Sequence, residues 1–493
     1  MFLKVDWTLG KRVLTLAYPV TIAMLTQTAI NLVDTIMVGR LPSAWSIAGQ
    51  SAIAISLILL WAVGGLISSI AVGTQALAAR RVGAEDCTGA GGVLNNAVTV
   101  GAVLSLIATV GVLWALPDLF SLLHGNPAVV EFGVDYCTYR FLGIISMVLT
   151  IIYKGFFDGI GQTKVHMKAA ILMNVVNVIL NYCLIFGIGP FPQMYVSGAG
   201  LASLIATFVG LAVMIFFSAR REERLKFGLY RKASLNWRVT RDVVRIGIPG
   251  GVASLFVMTG FGIFITIVGW LDERTMTESV QKLPEYTDLT FRIFGESPTV
   301  WDAHLHETVL SANPPIFTAA SKVIMDIMSV IFMSCMAFGQ ATATLVGQSL
   351  GADKPDLAER YGWVSVKLGA YFMLVFGLGI VLFPDAISGV FNPSPSVIDA
   401  AHSALMLMGG GAAFIAISMI LLQSLFGAGM TVYVMVVEMV LHFFCLIPLA
   451  YLFGLALDWG LLGIWGAALT YIVLLAAAMV WKFHGGDWKQ HRI

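Results

Sequence analysis

Twelve stretches of this sequence run for about 20 residues or more with very few charges: 14–41, 47–79, 93–116, 130–157, 165–186, 196–217, 243–271, 316–345, 363–383, 397–426, 432–453 and 461–481. Twenty apolar residues in an α-helix cover the hydrocarbon core of a bilayer. Chains that cross a bilayer must satisfy their backbone hydrogen bonds internally. The expected fold is therefore an all-α polytopic membrane protein with twelve transmembrane helices. Composition agrees: 58% of the 493 residues are hydrophobic and 12% charged, against about 25% charged in soluble proteins. The mean hydropathy is +0.86. A net charge of +1 gives no electrostatic case for nucleic acid as a partner. The five cysteines are odd in number and scattered through apolar runs, without metal-ligand or disulfide spacing, and read as packing residues. Lys4, Lys11 and Arg12 precede the first run as in a signal peptide, but Pro19, Gln27 and Asn31 interrupt it, so it reads as a retained span.

Lysine and arginine set the orientation. With the N-terminus cytoplasmic, the segments on that side carry 23 of the 29 basic residues, nine of them between Arg220 and Arg245. The basic segment 219–242 divides the chain into an N-terminal lobe, 1–218, and a C-terminal lobe, 243–493. The lobes are a repeat. Residues 81–86 recur at 349–354, Gly159-Ile160-Gly161 recurs as Gly427-Ala428-Gly429, and the offset is 268. Near the start of each half Pro19 matches Pro249 and Val38-Gly39 matches Val268-Gly269 at an offset of only 230, which marks 272–315 as an insertion. Six helices per half bring both halves in from the same side, so they are expected to be related by a pseudo-two-fold axis along the membrane normal.

Polar residues inside the apolar runs are the candidate site. Asp34 is a lone carboxylate in the first run, with Asn31 and Gln27 on the same helical face. A charge there costs about 2.5–3.5 kcal/mol on insertion scales, so it is read as an ion or substrate site. Its repeat counterpart is Phe264. Asn174, Asn177 and Asn181 form a second stripe in the fifth run, with His442, Cys445 and Leu449 as counterparts. Lys322 with Asp326, and Glu438 with His442, are pairs four residues apart and are further candidates for the cavity. The insertion has eight acidic and three basic residues and contains His304-Leu305-His306, and is read as a solvated outer cap.

The run Asn31-Leu-Val-Asp34-Thr-Ile-Met-Val-Gly39 after Tyr18-Pro19, the turn Gly83-Ala84, the segment Gly159-Ile-Gly161-Gln-Thr163-Lys164, the pair Asn177 and Asn181, and Val346-Gly347-Gln348-Ser-Leu-Gly351-Ala352 resemble the multidrug and toxic compound extrusion (MATE) transporters. The resemblance covers nearly the whole chain apart from the insertion. It implies a V-shaped secondary antiporter, with no cofactor, that exports organic, often cationic and amphipathic small molecules in exchange for H+ or Na+. It also implies a cation site at Asp34, Asn177 and Asn181, with Ser203 supplying a hydroxyl. With Val257 and Ile415 where some relatives carry acids, the chain looks like the DinF-type branch. Asn181 replaces an acid found in some relatives, and Asp158 stands where many have Arg. The expected setting is a monomer in the bacterial inner membrane with both termini cytoplasmic. A lipid-linked precursor flippase is the alternative within the superfamily. An integral membrane enzyme is the alternative outside it, although the chain shows no nucleophile–base pair or phosphate loop.

Overall fold

The structure is a computed structural model that describes residues 6–39, 41, 52–53, 56, 59–123, 127–231, 235–281 and 315–491. Side chains at 28–36, 39, 61, 122–123, 127–129 and 276–281 are also outside the description. The elements are α1 (Trp7–Gly39), α2 (Ile70–Gly83), α3 (Cys87–Leu123), α4 (Pro127–Leu142), α5 (Ile144–Gly159), α6 (Thr163–Phe186), α7 (Tyr195–Ala219), the short α8 (Arg221–Phe227) and α9 (Trp237–Gln281). They continue as α10 (Ile316–Gly351), α11 (Pro355–Leu382), the short α12 (Pro384–Phe391), α13 (Pro395–Gly410), α14 (Ala412–Gly427), α15 (Thr431–Leu441) and α16 (Gly460–Gly485).

Among the described residues nine helices are long and apolar enough to cross a membrane, or eleven when each of two bent pairs counts as one span. The 33-residue α1, with Pro19 inside it, packs among them. Each apolar run of the sequence thus meets a helix or bent pair in the structure. The bends were not expected. They fall between α4 and α5, at 45°, and between α13 and α14, at 53°. Their breaks, Gly143 and Gly411, are one repeat offset apart, so the kink belongs to the repeat. A second departure is π-helical: His442–Leu446 and Leu452–Ala456 interrupt the span that begins with α15.

Two large apolar cores form, one per half. Phe156, Phe157 and Val148 belong to the first, and Phe264, Trp465 and Leu425 to the second. The lobes exchange the starts of their first helices. Val13 and Ala17 of α1 are buried in the C-terminal core, while Val243 and Ile246 of α9 are buried in the N-terminal core. Val13 and Val243 are equivalent at the offset of 230, so the exchange obeys the pseudo-symmetry.

The lobes meet closely at the face carrying the N-terminus. A Cβ at Gly83 would fall on the Gln348 carbonyl oxygen, and one at Gly351 on that of Arg80. Small residues permit such backbone approach between membrane helices. Around this contact Asp6 pairs with Arg360 at 2.8 Å and Arg12 donates to Tyr361 at 3.3 Å. The helix ends assigned by charge to the cytoplasm therefore do converge on one face.

Helix α9 continues to Gln281, and Asp272 accepts from the amides of Phe317 and Thr318 at 2.9 and 2.8 Å, and from the Thr318 hydroxyl at 2.6 Å. Two open amides in the first turn of α10 are thus capped from α9. Asp272 thus ties the start of the segment 272–315 to the helix that follows it, and most of that segment, with His304 and His306, lies outside the described residues. Replacing Asp272 by alanine should cost about 1 kcal/mol, the usual loss for a cap, seen as a lower unfolding midpoint in detergent. Asp272→Asn, which keeps an acceptor, should lose less.

Candidate ion-coupling and gating sites

Helix α6 is built inside out relative to a helix on a soluble protein. Ile171, Val175, Ile179 and Tyr182 are exposed, whereas Asn174, Asn177 and Asn181 are buried against α1 and α7. In lipid the apolar side is the surface, and the polar stripe must find partners inside. Asn181 Nδ2 donates to Asn177 Oδ1 at 3.1 Å, and Asn177 Nδ2 donates to Ser203 Oγ on α7 at 3.3 Å. The expected association of Asn177, Asn181 and Ser203 is therefore present. Among the described residues Asn174 Nδ2 has no partner, although it is buried. Helix α1, which packs on α6, is continuous through positions 31 and 34, but the side chains of Asn31 and Asp34 lie outside the described residues.

The remaining cavity candidates separate into two kinds. Gln27 and Lys322 are exposed and Asp326 is half-buried, and Lys322 Nζ reaches Asp326 Oδ1 at 2.6 Å. An exposed pair of this kind contributes about 0–1 kcal/mol. Glu438 and His442 do not line a cavity. They are 4% and 0% exposed, inside the C-terminal lobe, because their side of the helix turns towards α9 and α16 rather than towards a cleft. Tyr471 donates to Glu438 Oε2 at 2.7 Å, and His442 Nδ1 lies 3.2 Å from the same oxygen and 2.9 Å from the Glu438 carbonyl.

A third polar group was missed from the sequence. Lys154 Nζ on α5 pairs with Asp158 Oδ2 at 2.9 Å and donates across the lobe boundary to Gln340 Oε1 on α10 at 2.6 Å. Gln75 Nε2 on α2 donates to Gln340 O and Thr344 Oγ1, both at 3.0 Å, and Thr344 Oγ1 donates to Asp158 O at 2.9 Å. Two further bonds cross in opposite directions: Gln348 Nε2 to Gly159 O at 2.9 Å, and Arg80 to Ala428 O at 3.1 Å. Gln348 and Arg80 are repeat equivalents, and their acceptors lie one residue apart in the repeat, Ala428 being the counterpart of Ile160. The readable signal was Lys154 four residues before Asp158 in the last turn of an apolar helix. In the charge pattern alone Lys154 is simply one of the basic residues that set orientation.

Among the described residues no group of three or more His, Cys, Asp or Glu side chains is placed to hold a metal ion. The MatE family model matches residues 19–183 and 308–452, more than half of the chain. This chain belongs to the MatE family. It is 22% identical over 491 residues to a probable multidrug resistance protein NorM of Thermotoga maritima, covering 98% of this chain and 94% of that protein. To the NorM of Pseudomonas putida it is 25% identical over 495 residues, covering 98% and 95%. Among solved structures, an outward-facing multidrug resistance MATE family transporter superposes with a TM-score of 0.82 at 18% identity, covering 98% and 97% of the two chains. A superfamily transporter of Pyrococcus furiosus, whose binding pocket is described as having reversed polarity that suggests a different function, gives 0.81 at 18% identity and the same coverage. These likenesses establish the two-lobed MatE fold.

The buried Lys154–Asp158 pair gives this MatE chain a measurable signature. Leaving one partner of a buried pair uncompensated costs about 3–5 kcal/mol, whereas replacing both by apolar groups is often near neutral. Lys154→Met and Asp158→Leu should each be strongly destabilising, and the double variant should be more stable than either single one. The check is a double-mutant cycle on unfolding in detergent. Additive losses would show that the two charges do not act as a pair.

Proposed function

We propose that this protein is a secondary antiporter that exports organic, cationic or amphipathic compounds through the cleft between its lobes in exchange for H+ or Na+. The observation that carries this reading is the buried amide and hydroxyl cluster of Asn177, Asn181 and Ser203 against the helix that bears Asp34. A carboxylate with amide carbonyls and a hydroxyl is a hard-oxygen set suited to a small cation. A carboxylate at that depth of a membrane helix is equally suited to a proton. Either ion drives alternation only by binding one lobe conformation more tightly than the other. The names of the NorM relatives and of the outward-facing neighbour point to multidrug export.

The proposed organisation is the two lobes 1–218 and 243–493, joined by the basic linker 219–242. The proposed setting is a monomer in a bacterial inner membrane with both termini cytoplasmic. In that orientation the lobe-to-lobe bonds of Lys154, Gln75, Gln348 and Arg80 close the cytoplasmic side. Opening that side then requires those bonds to be exchanged for water. A flippase for phosphate-bearing lipids would call for free cations in the cleft, whereas Lys154 and Lys322 each face an aspartate.

Purified protein in liposomes tests the reading. An imposed pH or Na+ gradient should drive accumulation of a cationic dye, and Asp34→Asn should abolish it in a folded, inserted protein. Asn177→Ala and Asn181→Ala should impair coupling more than Leu449→Ala at the matching C-terminal position. Undiminished gradient-driven uptake by Asp34→Asn would sink the assignment, and scrambling of labelled lipid without dye uptake would favour the flippase.

A further inference from the structure

Asp242, Arg245, Thr431, Val432, Tyr433 and His491 line a pocket of about 300 Å³ beside the Arg80–Ala428 bond that joins the lobes. Its two walls belong to different lobes. Asp242 and Arg245 stand in the first turns of α9, whose Val243 and Ile246 are buried in the N-terminal core. Thr431, Val432 and Tyr433 open α15, whose Val434 is buried in the C-terminal core, and His491 follows α16.

Positive charge converges on this pocket. Arg245 is exposed and has no ion-pair or hydrogen-bond partner among the described residues. Arg80 arrives from α2 in the N-terminal lobe. It donates to Ala428 O at 3.1 Å, next to Gly429 in the pocket wall, and its buried Nε has no partner among the described residues. Lys482 on α16 lies 5.3 Å from the centre of the Tyr433 ring. Partial burial, and after it the charges of Arg80, Arg245 and Lys482, hold the His491 imidazole below its ordinary value, so all three cations act on one spot. Two carboxylates oppose them. Asp487 pairs with Lys482 at 3.2 Å, which leaves Asp242 against two arginines. The first-turn amides of α15 have no acceptor within the helix, and no side chain caps it. Open amides and the positive end of the helix dipole add to the attraction for an anion.

The repeat holds an anion at the equivalent place. At the offset of 268 the start of α15 corresponds to the start of α6, and Met430 to Gln162. In the N-terminal lobe Gln162 Nε2 donates to Glu223 Oε1 of α8 at 2.8 Å, so the chain brings its own carboxylate to that helix end. Met430 has no donor with which to hold one, and the arginine-flanked pocket stands at that end of the C-terminal lobe instead.

From this placement we propose that the pocket binds a phosphate group, free or on a lipid headgroup, between Arg245 and the first turn of α15. A guanidinium matches phosphate oxygens with two parallel bonds, and the helix amides receive the oxygens on the other side. Arg245 stands on the N-terminal core and α15 on the C-terminal core, so a bound phosphate ties the lobes together on this face. It favours the closed arrangement, as a ligand favours whichever state binds it better. The site is thereby a brake on alternation. That role rests on the antiport reading, and the binding does not.

Unfolding in detergent, at an ionic strength held constant with chloride, reads binding without transport. Inorganic phosphate should raise the midpoint, because a ligand of the folded state stabilises it. Arg245→Gln should need about tenfold more phosphate for the same rise, the usual cost of one charge-assisted bond. Arg245→Lys should fall between the two, and Asp242→Asn, which removes the opposing carboxylate, should need less phosphate than the wild type. Short-chain phosphatidylglycerol, compared with phosphatidylcholine, tests the lipid source. An Arg245-dependent rise with inorganic phosphate supports a free anion, and one seen only with phosphatidylglycerol supports a headgroup. No rise with either, or an equal rise in wild type and Arg245→Gln, overturns the site. In liposomes with phosphate on both sides, gradient-driven dye uptake should slow in the wild type but not in Arg245→Gln. Uptake that ignores phosphate, or slows equally in both proteins, overturns the brake. A wild type that accumulates no dye under any gradient overturns the antiport reading instead, and the unfolding series still decides for or against the phosphate site.

Discussion

A polar side chain inside a bilayer has no water to return to, and the arrangement of this protein follows from where each one is hidden. Apolar faces are free to look outward, so Ile171, Val175 and Ile179 lie on the surface while three asparagines of the same helix turn inward. The partners they find, in Ser203 and in one another, bind α6 to α7 with a directionality that dispersion contacts lack. The hydrophobic effect separates protein from water, but it does not choose which apolar helix packs on which, since lipid is as apolar as leucine. Close glycine contacts and buried polar bonds make that choice, and the described polar clusters all join different helices.

The same constraint explains how one face is closed. The exchange of the first turns of α1 and α9 between the two cores ties the lobes together through apolar packing. Over it lie the glycine contacts and a polar network in which an ion pair on α5 reaches a glutamine on α10. Such a joint is firm when shut, because its groups satisfy each other. It can also open, because every one of those groups is well solvated once water enters. An interface made only of interlocked leucines would hold as well but would have no comparable route to a wetted state.

Much of the fold was legible because helices in lipid announce themselves by length and hydropathy. The twelve runs, the helix ends gathered on one face and the two repeated halves all came from local or periodic features. The bends at Gly143 and Gly411 did not, since a glycine in an apolar run reads equally as a packing position. The π turn at His442 was also hidden, for nothing in His-Phe-Phe-Cys-Leu distinguishes a π from an α register. Among site residues, the alignment of Asn177, Asn181 and Ser203 was readable from spacing and resemblance. The burial of Glu438 and His442 was misread because i, i+4 spacing fixes a shared face but not what that face looks at. The Lys154–Asp158–Gln340 contact joins residues 186 positions apart, and nothing local points from one to the other.

The two halves therefore share a backbone plan while dividing the polar chemistry unequally. Asp34 has no charged equivalent in the repeated sequence, where Phe264 instead packs edge-on against Trp465 at 5.4 Å. In the fifth helix of each half the inequality runs the other way: the N-terminal lobe holds neutral amides, and the C-terminal lobe holds a carboxylate and an imidazole. Identical lobes would respond identically to an ion and would give it no preference for one tilt of the pair over the other. In the proposed antiport cycle a coupling ion acts only through a difference in affinity between states, and unequal polar content in lobes of equal shape is what would let ion binding favour one relative arrangement.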